Sequence, residues 1–559
     1  MRKIRCRLPA GRLGRAFRLA LVGCLATCPA PATEPTDRPA VHKQTIAVPM
    51  RDGIRLATDV YLPSTNGSFP TLLARTPYNK TLAAGLGEEG ARRGYATVIQ
   101  DTRGRFGSEG ANLPFDSDVQ DGHDTIRWIL QQPWCNGKIG TFGGSAGAIT
   151  QFLLARSGVT NLLSQHFTVG APSLYFHVVY TGGVFRKALV EDWLRLTQFS
   201  PDALQRWLNH PTYDNFWRAR ELTGHYPKVH AAAVHIGGYF DIFAHGTIDA
   251  FVGYQNRGSP RARGRQKLIV GPWTHNVFTE KAGDLTFPNA KRPPNNLRDQ
   301  WAWFDHTLKA ADNGLNRVPP VTYYVMGDTS DPRAPGNLWR TADRWPPLST
   351  QPTPFYLHAD RTLSRAKPAS AAGPLRFAYD PTIPVPTLGG PELTLPAGPK
   401  DQRSIETRPD VLVFTSEPLA EPLEITGHVR AKLWIASDAP DTDFFMRLCD
   451  VYPDGRSFNI CEGRLRARFR ESFRREKFLR PGDVCALDLD LWATSIIFNK
   501  GHRLRVHVTS SSTPGFDPNP NTGEPLRRHT ATRVAQNTIY CDAARPSHVL
   551  LPLVAGQRH

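Results

Sequence analysis

The stretch that most constrains this chain runs from Ile139 to Ala155. A short strand-like run, Ile139 to Phe142, meets Gly143-Gly144-Ser145-Ala146-Gly147, and an apolar helical run, Ala148 to Ala155, leads away until Gly158 closes it. A G-x-S-x-G pentapeptide between a strand and a helix predicts a sharp, strained turn with the serine at its apex. The glycines follow from that geometry, because side chains beside the serine would collide with the flanking elements. Alone the pentapeptide is a weak signal; its strand-to-helix setting gives it weight.

The surrounding sequence supplies the matching alternation. Thr71 to Ala74 and Tyr95 to Ile99 read as buried strands, with Gly87 to Arg93 a short helix between them. Asp118 to Gln131 reads as a helix with Val119, Ile126, Ile129 and Leu130 on one face, stopped by Pro133. Ala233 to Ile236 and Lys267 to Val270 are later strands, followed by a helix from Arg298 to Lys309. Such alternation predicts a parallel sheet with helices on both faces, an α/β core over residues 40–164 and 229–345. Residues 165–228 break the rhythm. They are rich in Trp, Tyr, Phe and Arg, carry helical runs at Lys187 to Leu196 and Asp202 to Leu208, and read as an inserted helical cap.

Beyond Pro346-Pro347 the pattern changes to alternating segments separated by turn residues, among them Pro354 to Leu357, Leu423 to Ile435, Phe444 to Val451, Arg503 to Thr509 and His548 to Leu553. This predicts an all-β sandwich or jelly roll over 346–559, with Pro381 to Pro399 a long loop wrapping over a neighbour. A length of 559 residues suits two or three such domains.

Residues 1–32 read as a secretory signal peptide: seven basic residues and no acid, a short apolar stretch from Leu19 to Cys28, and a cleavage site at Ala30-Pro31-Ala32. This predicts export to the periplasm or beyond. Leu21-Val22-Gly23-Cys24 resembles a lipoprotein processing site, but its apolar run is short, so simple export ranks first. No apolar run reaches 18 residues, so no membrane span is expected. Without the seven leader charges the net charge of +18 falls to +11. The excess is scattered arginine with one cluster, Arg464, Arg466, Arg468, Arg470, Arg474 and Arg475, and no nucleic-acid-binding module accompanies it. The alternation from 464 to 470 predicts one solvated strand face. Five cysteines remain after the leader, with no CxxC or Cys/His metal spacing, so neither a disulfide scaffold nor a metal site is expected. Cys449 and Cys461 flank Pro453-Asp454-Gly455 and could face each other across a hairpin.

A serine hydroxyl needs a base to become a nucleophile, and in this architecture the acid and then the histidine follow on loops after later strands. Asp241 follows the strand Ala233 to Ile236; His275 follows Lys267 to Val270 in Gly271-Pro272-Trp273-Thr274-His275. Among 18 histidines this strand-then-loop position singles out His275, whereas His235 lies inside a strand and His245 beyond the acid loop. The expected site is Ser145 as nucleophile, His275 as base and Asp241 as orienting acid. One oxyanion donor is the backbone N–H of Ala146. No HGGG-type loop supplies the other. Tyr78, in Arg75-Thr76-Pro77-Tyr78, is either a hydroxyl donor or a packed loop aromatic.

These segments, together with the opening Met50 to Leu56 and Asp59 to Pro63, Asp101-Thr102-Arg103-Gly104-Arg105, Gly107 to Gly110, and Tyr379-Asp380-Pro381 with Gly389-Gly390, resemble the cocaine esterase/NonD hydrolase family, related to Xaa-Pro dipeptidyl-peptidases and α-amino-acid ester hydrolases. The resemblance spans nearly the whole chain after the leader. It implies an α/β-hydrolase core, a helical cap and a C-terminal jelly roll, and it makes Tyr78 the second oxyanion donor. It also implies a cofactor-free acyl-enzyme mechanism on small esters, amides or short peptides. Relatives often carry tyrosine after the nucleophile, where this chain has Ala146, so the pocket wall should differ. Relatives that act on free α-amines need carboxylates; Glu191 and Asp192 in the cap are candidates, against a reading as solvated helix acids. A reading from another class, a jelly-roll binding protein with an idle core, is opposed by the intact Ser145, Asp241 and His275 set.

Overall fold

A computed structural model describes residues 40–347, 350–370 and 372–554. The expected leader, 1–32, lies outside them. The hairpin β1 (His42–Pro49) and β2 (Arg55–Leu62) turns at Met50–Ile54 and is followed by β3 (Phe69–Thr76), β4 (Ala96–Asp101), β5 (Cys135–Gly144) and β6 (Leu162–Thr168). A small hairpin, β7 (Tyr180–Thr181) and β8 (Val184–Phe185), lies in the insertion. The sheet resumes at β9 (Ala232–Gly238) and β10 (Gln266–Gly271), passes the short pair β11 (Lys281–Ala282) and β12 (Leu285–Thr286), and ends with β13 (Val321–Val325) and β14 (Leu338–Ala342). The order of the ten-stranded sheet is β1-β2-β4-β3-β5-β6-β9-β10-β13-β14. Its middle, from β4 to β13, is parallel.

Alternate strand residues feed two separate layers, as a sheet covered on both faces requires. Leu73, Ile139 and Ala233 pack with Ile126, Phe152 and Tyr254 from helices on one face. Leu72, Phe142 and Val234 pack with Trp301 and Phe304 on the other. One expected boundary moves. Residues 165–168 belong to β6, a central strand between β5 and β9, so the insertion begins beyond Thr168. The sequence Leu162-Leu163-Ser164-Gln165-His166 hides this strand, because its polar residues are buried and hydrogen-bonded: the side-chain amide of Gln165 donates to Thr141 and its carbonyl accepts from Tyr254.

The C-terminal part contains β15 (Thr350–Leu357), β16 (Leu363–Ser364), β17 (Leu375–Tyr379), β18 (Leu412–Thr415), β19 (Leu423–Ser437), β20 (Asp443–Val451), β21 (Ser457–Arg466), β22 (Cys485–Phe498), β23 (Arg503–Thr509), β24 (Ala535–Tyr540) and β25 (His548–Val554). They form two antiparallel sheets, β16-β15-β25-β19-β24-β17 with β22 on β19, and β18-β23-β20-β21. One apolar core joins them to the β10–β13 edge of the large sheet, and Met326 exchanges backbone hydrogen bonds with Ser495 and Ile497 on β22. The architecture is an α/β-hydrolase core with a helical insertion and a C-terminal jelly-roll sandwich. Among the described residues no helix is long and apolar enough to cross a membrane.

The arginine run corrects the expectation of a solvated face. Arg464, Arg466 and Arg468 are buried, and the cap turn Gly182-Gly183 is seated on β21 against Arg464 and Arg466. Arg466 N–H donates to the Gly182 carbonyl, and a side chain at Gly182 would meet the Arg464 carbonyl at 2.0 Å. Arg466 grips Asp443 through two bonds of 2.8 and 2.9 Å, Arg468 pairs with Asp441 at 2.8 Å, and Arg464 reaches Glu462 at 3.2 Å and Thr181 of the cap at 3.1 Å. Strand alternation also ends at Arg466, where a 3₁₀ turn begins. Cys449 and Cys461 are free thiols: a bulge between Leu448 and Cys449 sets Cys449 opposite Asn459 and Cys461 opposite Leu448.

Removing one member of a buried ion pair leaves its partner charged and desolvated, at a cost of about 3–5 kcal/mol. Arg466→Met should lower stability to denaturant by that order. Arg475→Ala, at an exposed position, should change it by less than about 0.5 kcal/mol. Equal stabilities would mean that the buried pair carries no weight.

Candidate active site

Ser145 stands between β5 and the helix Ala146–Arg156 at φ 57°, ψ −124°. Few non-glycine residues hold such a backbone, and it costs on the order of 1–3 kcal/mol. Gly143, at φ 146°, makes the approach possible, since a Cβ there would lie 3.1 Å from the Gly147 carbonyl oxygen. The amide of Ser145 donates to the carbonyls of Thr168 and Val169 at the end of β6. The turn is thereby fixed from the neighbouring strand and the serine oxygen projects beyond the carboxyl edge of the sheet.

Asp241 and His275 arrive at the same edge from β9 and β10. Their loops are stitched together: Tyr239 N–H donates to the Gly271 carbonyl at 2.8 Å and Phe240 N–H to that of Trp273 at 3.0 Å. The contact requires Gly238, because a Cβ there would lie 2.1 Å from the Trp273 carbonyl oxygen. Asp241 is fully buried; Oδ1 accepts from Phe243 N–H at 2.8 Å and Oδ2 lies 2.6 Å from His275 Nδ1. His275 Nε2 lies 3.0 Å from Ser145 Oγ. An ionised carboxylate only accepts, so Nδ1 carries the proton and Nε2 is left to accept from the serine hydroxyl. The arrangement can therefore move the serine proton to a histidine whose charged form a buried carboxylate faces.

The Tyr78 loop is held by two arginines. Arg75, deeply buried, bonds Gln100 at 2.9 Å and pairs with Asp118 at 2.9 Å, while its own carbonyl accepts from Thr150 on the elbow helix. Arg105 donates to the carbonyls of Pro77, Gln198 and Thr197, tying the loop to the cap. Nearby, Asp101 accepts from Lys80 N–H, and burial pushes its carboxyl up to about 6. Trp193 Nε1 donates to Tyr78 Oη at 3.1 Å. An indole N–H only donates, so the phenolic proton of Tyr78 points in another direction. Ala146 is the first residue of the elbow helix, where backbone N–H groups have no intrahelical acceptor.

An apolar cleft opens on Ser145. Ala146 and Ile149 of the elbow helix, Phe115, and Ile242 and Phe243 of the acid loop form its core side. Val178, Leu189, Val190, Trp193 and Trp207 come from the cap, and Leu393 from the loop Pro381 to Pro399, which does wrap over its neighbours. Phe115 and Trp193 stack with ring centroids 5.7 Å apart. Glu191 and Asp192 are not among the residues that line it. Glu191 pairs with Arg527, and Asp192 bonds Arg195 at 2.9 Å and Thr394 at 2.7 Å. They are neither cleft carboxylates nor fully solvated acids.

Two family models match: X-Pro dipeptidyl-peptidase (S15 family) over residues 52–202 and 195–277, and the X-Pro dipeptidyl-peptidase C-terminal non-catalytic domain over residues 313–550. A cocaine esterase from Rhodococcus sp. (strain MB1 Bresler) is 33% identical over 91% of this chain and 98% of its own length. The chain belongs to the cocaine esterase family. Like that family it is a serine hydrolase. Among solved structures, an aminopeptidase from a marine sediment Thaumarchaeota archaeon aligns with a TM-score of 0.78 at 24% identity over 95% of this chain and 99% of that one. An α-amino acid ester hydrolase aligns with a TM-score of 0.76 at 24% identity over 94% and 98%. These likenesses establish the shared fold. Within the cocaine esterase family fold, the side chains that line the cleft are what sequence reading misses. Phe115, Val178 and Leu393 come from three distant segments with no motif, and only the apolar face of the helix Lys187–Leu196 signals a buried surface.

Gly238→Ala tests the stitching of the acid and histidine loops. Overpacking there should cost about 1–3 kcal/mol and lower kcat by disturbing the His275 loop. Gly85→Ala, with nothing near its new methyl, should leave turnover unchanged. Thermal unfolding and ester turnover read both; equal behaviour of the two variants would refute the contact.

Proposed function

We propose that this enzyme is an esterase acting on simple, uncharged acyl groups through Ser145, His275 and Asp241. In this reading His275 takes the proton of Ser145 as its oxygen attacks the ester carbonyl, Asp241 faces the resulting imidazolium, and the Ala146 N–H and Tyr78 hydroxyl donate to the oxyanion. His275 then protonates the leaving alcohol, and water releases the acyl group by the reverse steps. The observation that carries the substrate class is the cleft itself. Among the described residues that line it, none carries a carboxylate. A substrate ammonium would be desolvated there without a carboxylate partner, a cost of several kcal/mol. An aliphatic or aromatic acyl chain instead gains roughly 25 cal/mol per Å² of apolar surface it buries.

We also infer export, supported by the basic, apolar and small-residue order of residues 1–32. N-terminal sequencing of the mature protein from the periplasm should begin just after Ala32; a cytoplasmic protein that keeps Met1 would refute this.

The deciding experiment compares p-nitrophenyl acyl esters with Gly-Pro and aminoacyl p-nitroanilides. Turnover of the esters should exceed that of the free-amine substrates by at least about 10²-fold, the equivalent of some 2.7 kcal/mol. Ser145→Ala should lower kcat by about 10⁴-fold or more, and Asp241→Asn by about 10⁴-fold. Tyr78→Phe should lose about 10²–10³-fold in kcat with KM little changed. Equal or better turnover of free-amine substrates would overturn the acyl assignment. A Tyr78→Phe enzyme within a few-fold of wild type would return Tyr78 to a packed loop aromatic.

A further inference from the structure

Five titratable side chains that the proposed chemistry does not use meet where core, cap and jelly roll join. His177 comes from the short helical turn Tyr175–Val179 of the insertion. His245 and Asp249 lie one turn apart on the helix Ala244–Arg257, which follows the acid loop. His428 is on β19 and Asp490 on β22. Asp249 Oδ2 lies 3.4 Å from His177 Nε2 and 3.2 Å from His245 Nε2, and Asp490 Oδ2 lies 3.6 Å from the same His245 nitrogen. His428 Nδ1 is 3.9 Å from Asp490 Oδ1.

The two separations from Asp249 Oδ2 are those of ligands around one ion. Imidazole and carboxylate ligands about 2.0–2.1 Å from a zinc-type cation, at tetrahedral angles, stand roughly 3.3–3.4 Å from one another. The ligand atoms of His177, His245 and Asp249 all lie within 4.8 Å of each other. Two imidazoles and one carboxylate suit a borderline divalent cation better than calcium or magnesium, which prefer all-oxygen sites. One carboxylate oxygen of Asp249 thus faces the Nε2 atoms of both imidazoles. His177 is buried, and its Nδ1 has no hydrogen-bond partner among the described residues, so its polar contact to the cluster runs through Nε2.

We propose that His177, His245 and Asp249 form a binding site for a zinc-type divalent cation. Asp490 adds negative charge beside the shared His245, and His428 with Asp490 stands behind it as a second group within reach. The ion would be structural. It would tie the cap turn that places Val178 in the cleft to the helix that begins directly after Phe243, another cleft residue. The sequence shows only His245 and Asp249 at helical spacing, because the remaining groups come from distant segments.

The test uses the full, tag-free protein, stripped with a chelator and dialysed, then titrated with Zn²⁺ alone and with Co²⁺ as a coloured surrogate. Wild type should bind one equivalent, with a thermal midpoint that rises and saturates at that ratio, and Co²⁺ should give visible ligand-field bands. His177→Gln and Asp249→Asn should each weaken Zn²⁺ binding at least tenfold and lose the thermal rise. His428→Gln should keep both. Far-ultraviolet circular dichroism and metal-free ester turnover confirm that the variants are folded. If wild type takes up no more zinc than Asp249→Asn, or zinc leaves the midpoint unmoved, the site does not exist. If His428→Gln abolishes uptake while His177→Gln retains it, the assigned ligand set is wrong.

Discussion

The backbone of Ser145 is the constraint on which the rest of this structure depends. A residue at φ 57°, ψ −124° persists only where its surroundings leave no alternative. Here they are β5 in the middle of a parallel sheet, a glycine on the strand side, and two backbone bonds from the serine amide to the end of β6. The apolar helix behind the serine is buried almost along its whole length, so it cannot swing to relieve the strain. What the sheet loses locally it recovers in burial on both faces, and the serine oxygen is held at the sheet edge before any substrate arrives.

The partners of that oxygen are positioned by loop-to-loop contact as much as by the strands that carry them. Gly238 lets the acid loop lie against the carbonyl of Trp273, and the buried carboxylate of Asp241 is anchored by Phe243 N–H while it meets His275. Above this edge the cleft is a three-part construction. Arg186, buried in the cap, donates to the carbonyl of Ile242 in the acid loop and to that of Pro391 in the jelly-roll loop. The cap turn rests in turn on β21, where the buried arginine–carboxylate pairs lie. A cleft closed by three bodies is sensitive to how they dock, which is why these polar contacts matter beyond their individual energies.

Much of this was legible in the chain. The alternation of strand and helix, the elbow pentapeptide, and the placement of Asp241 and His275 on loops after later strands all rest on local signals: periodicity, turn residues and chain order. The helices at Lys187–Leu196 and Asp202–Leu208 begin and end where the pattern places them. Local signals fail where burial overrides residue type. The polar strand β6 reads as insertion because Gln165 and His166 are satisfied inside the core, and the arginines of β21 read as solvent-facing because nothing near them in sequence announces the cap turn that covers them.

The sequence by itself determined the architecture and the identity of the three residues that meet at the sheet edge, because a strained turn and an alternating core leave few ways to arrange such a chain. Only the tertiary structure decided the character of the cleft and the meeting of His177, His245 and Asp249. The cleft joins side chains as distant in the chain as Phe115 and Leu393, and the cluster joins the cap turn of His177 to the helix that carries His245 and Asp249. Which of them share a space depends on docking between core, cap and jelly roll, and that is set by long-range packing that no local pattern encodes.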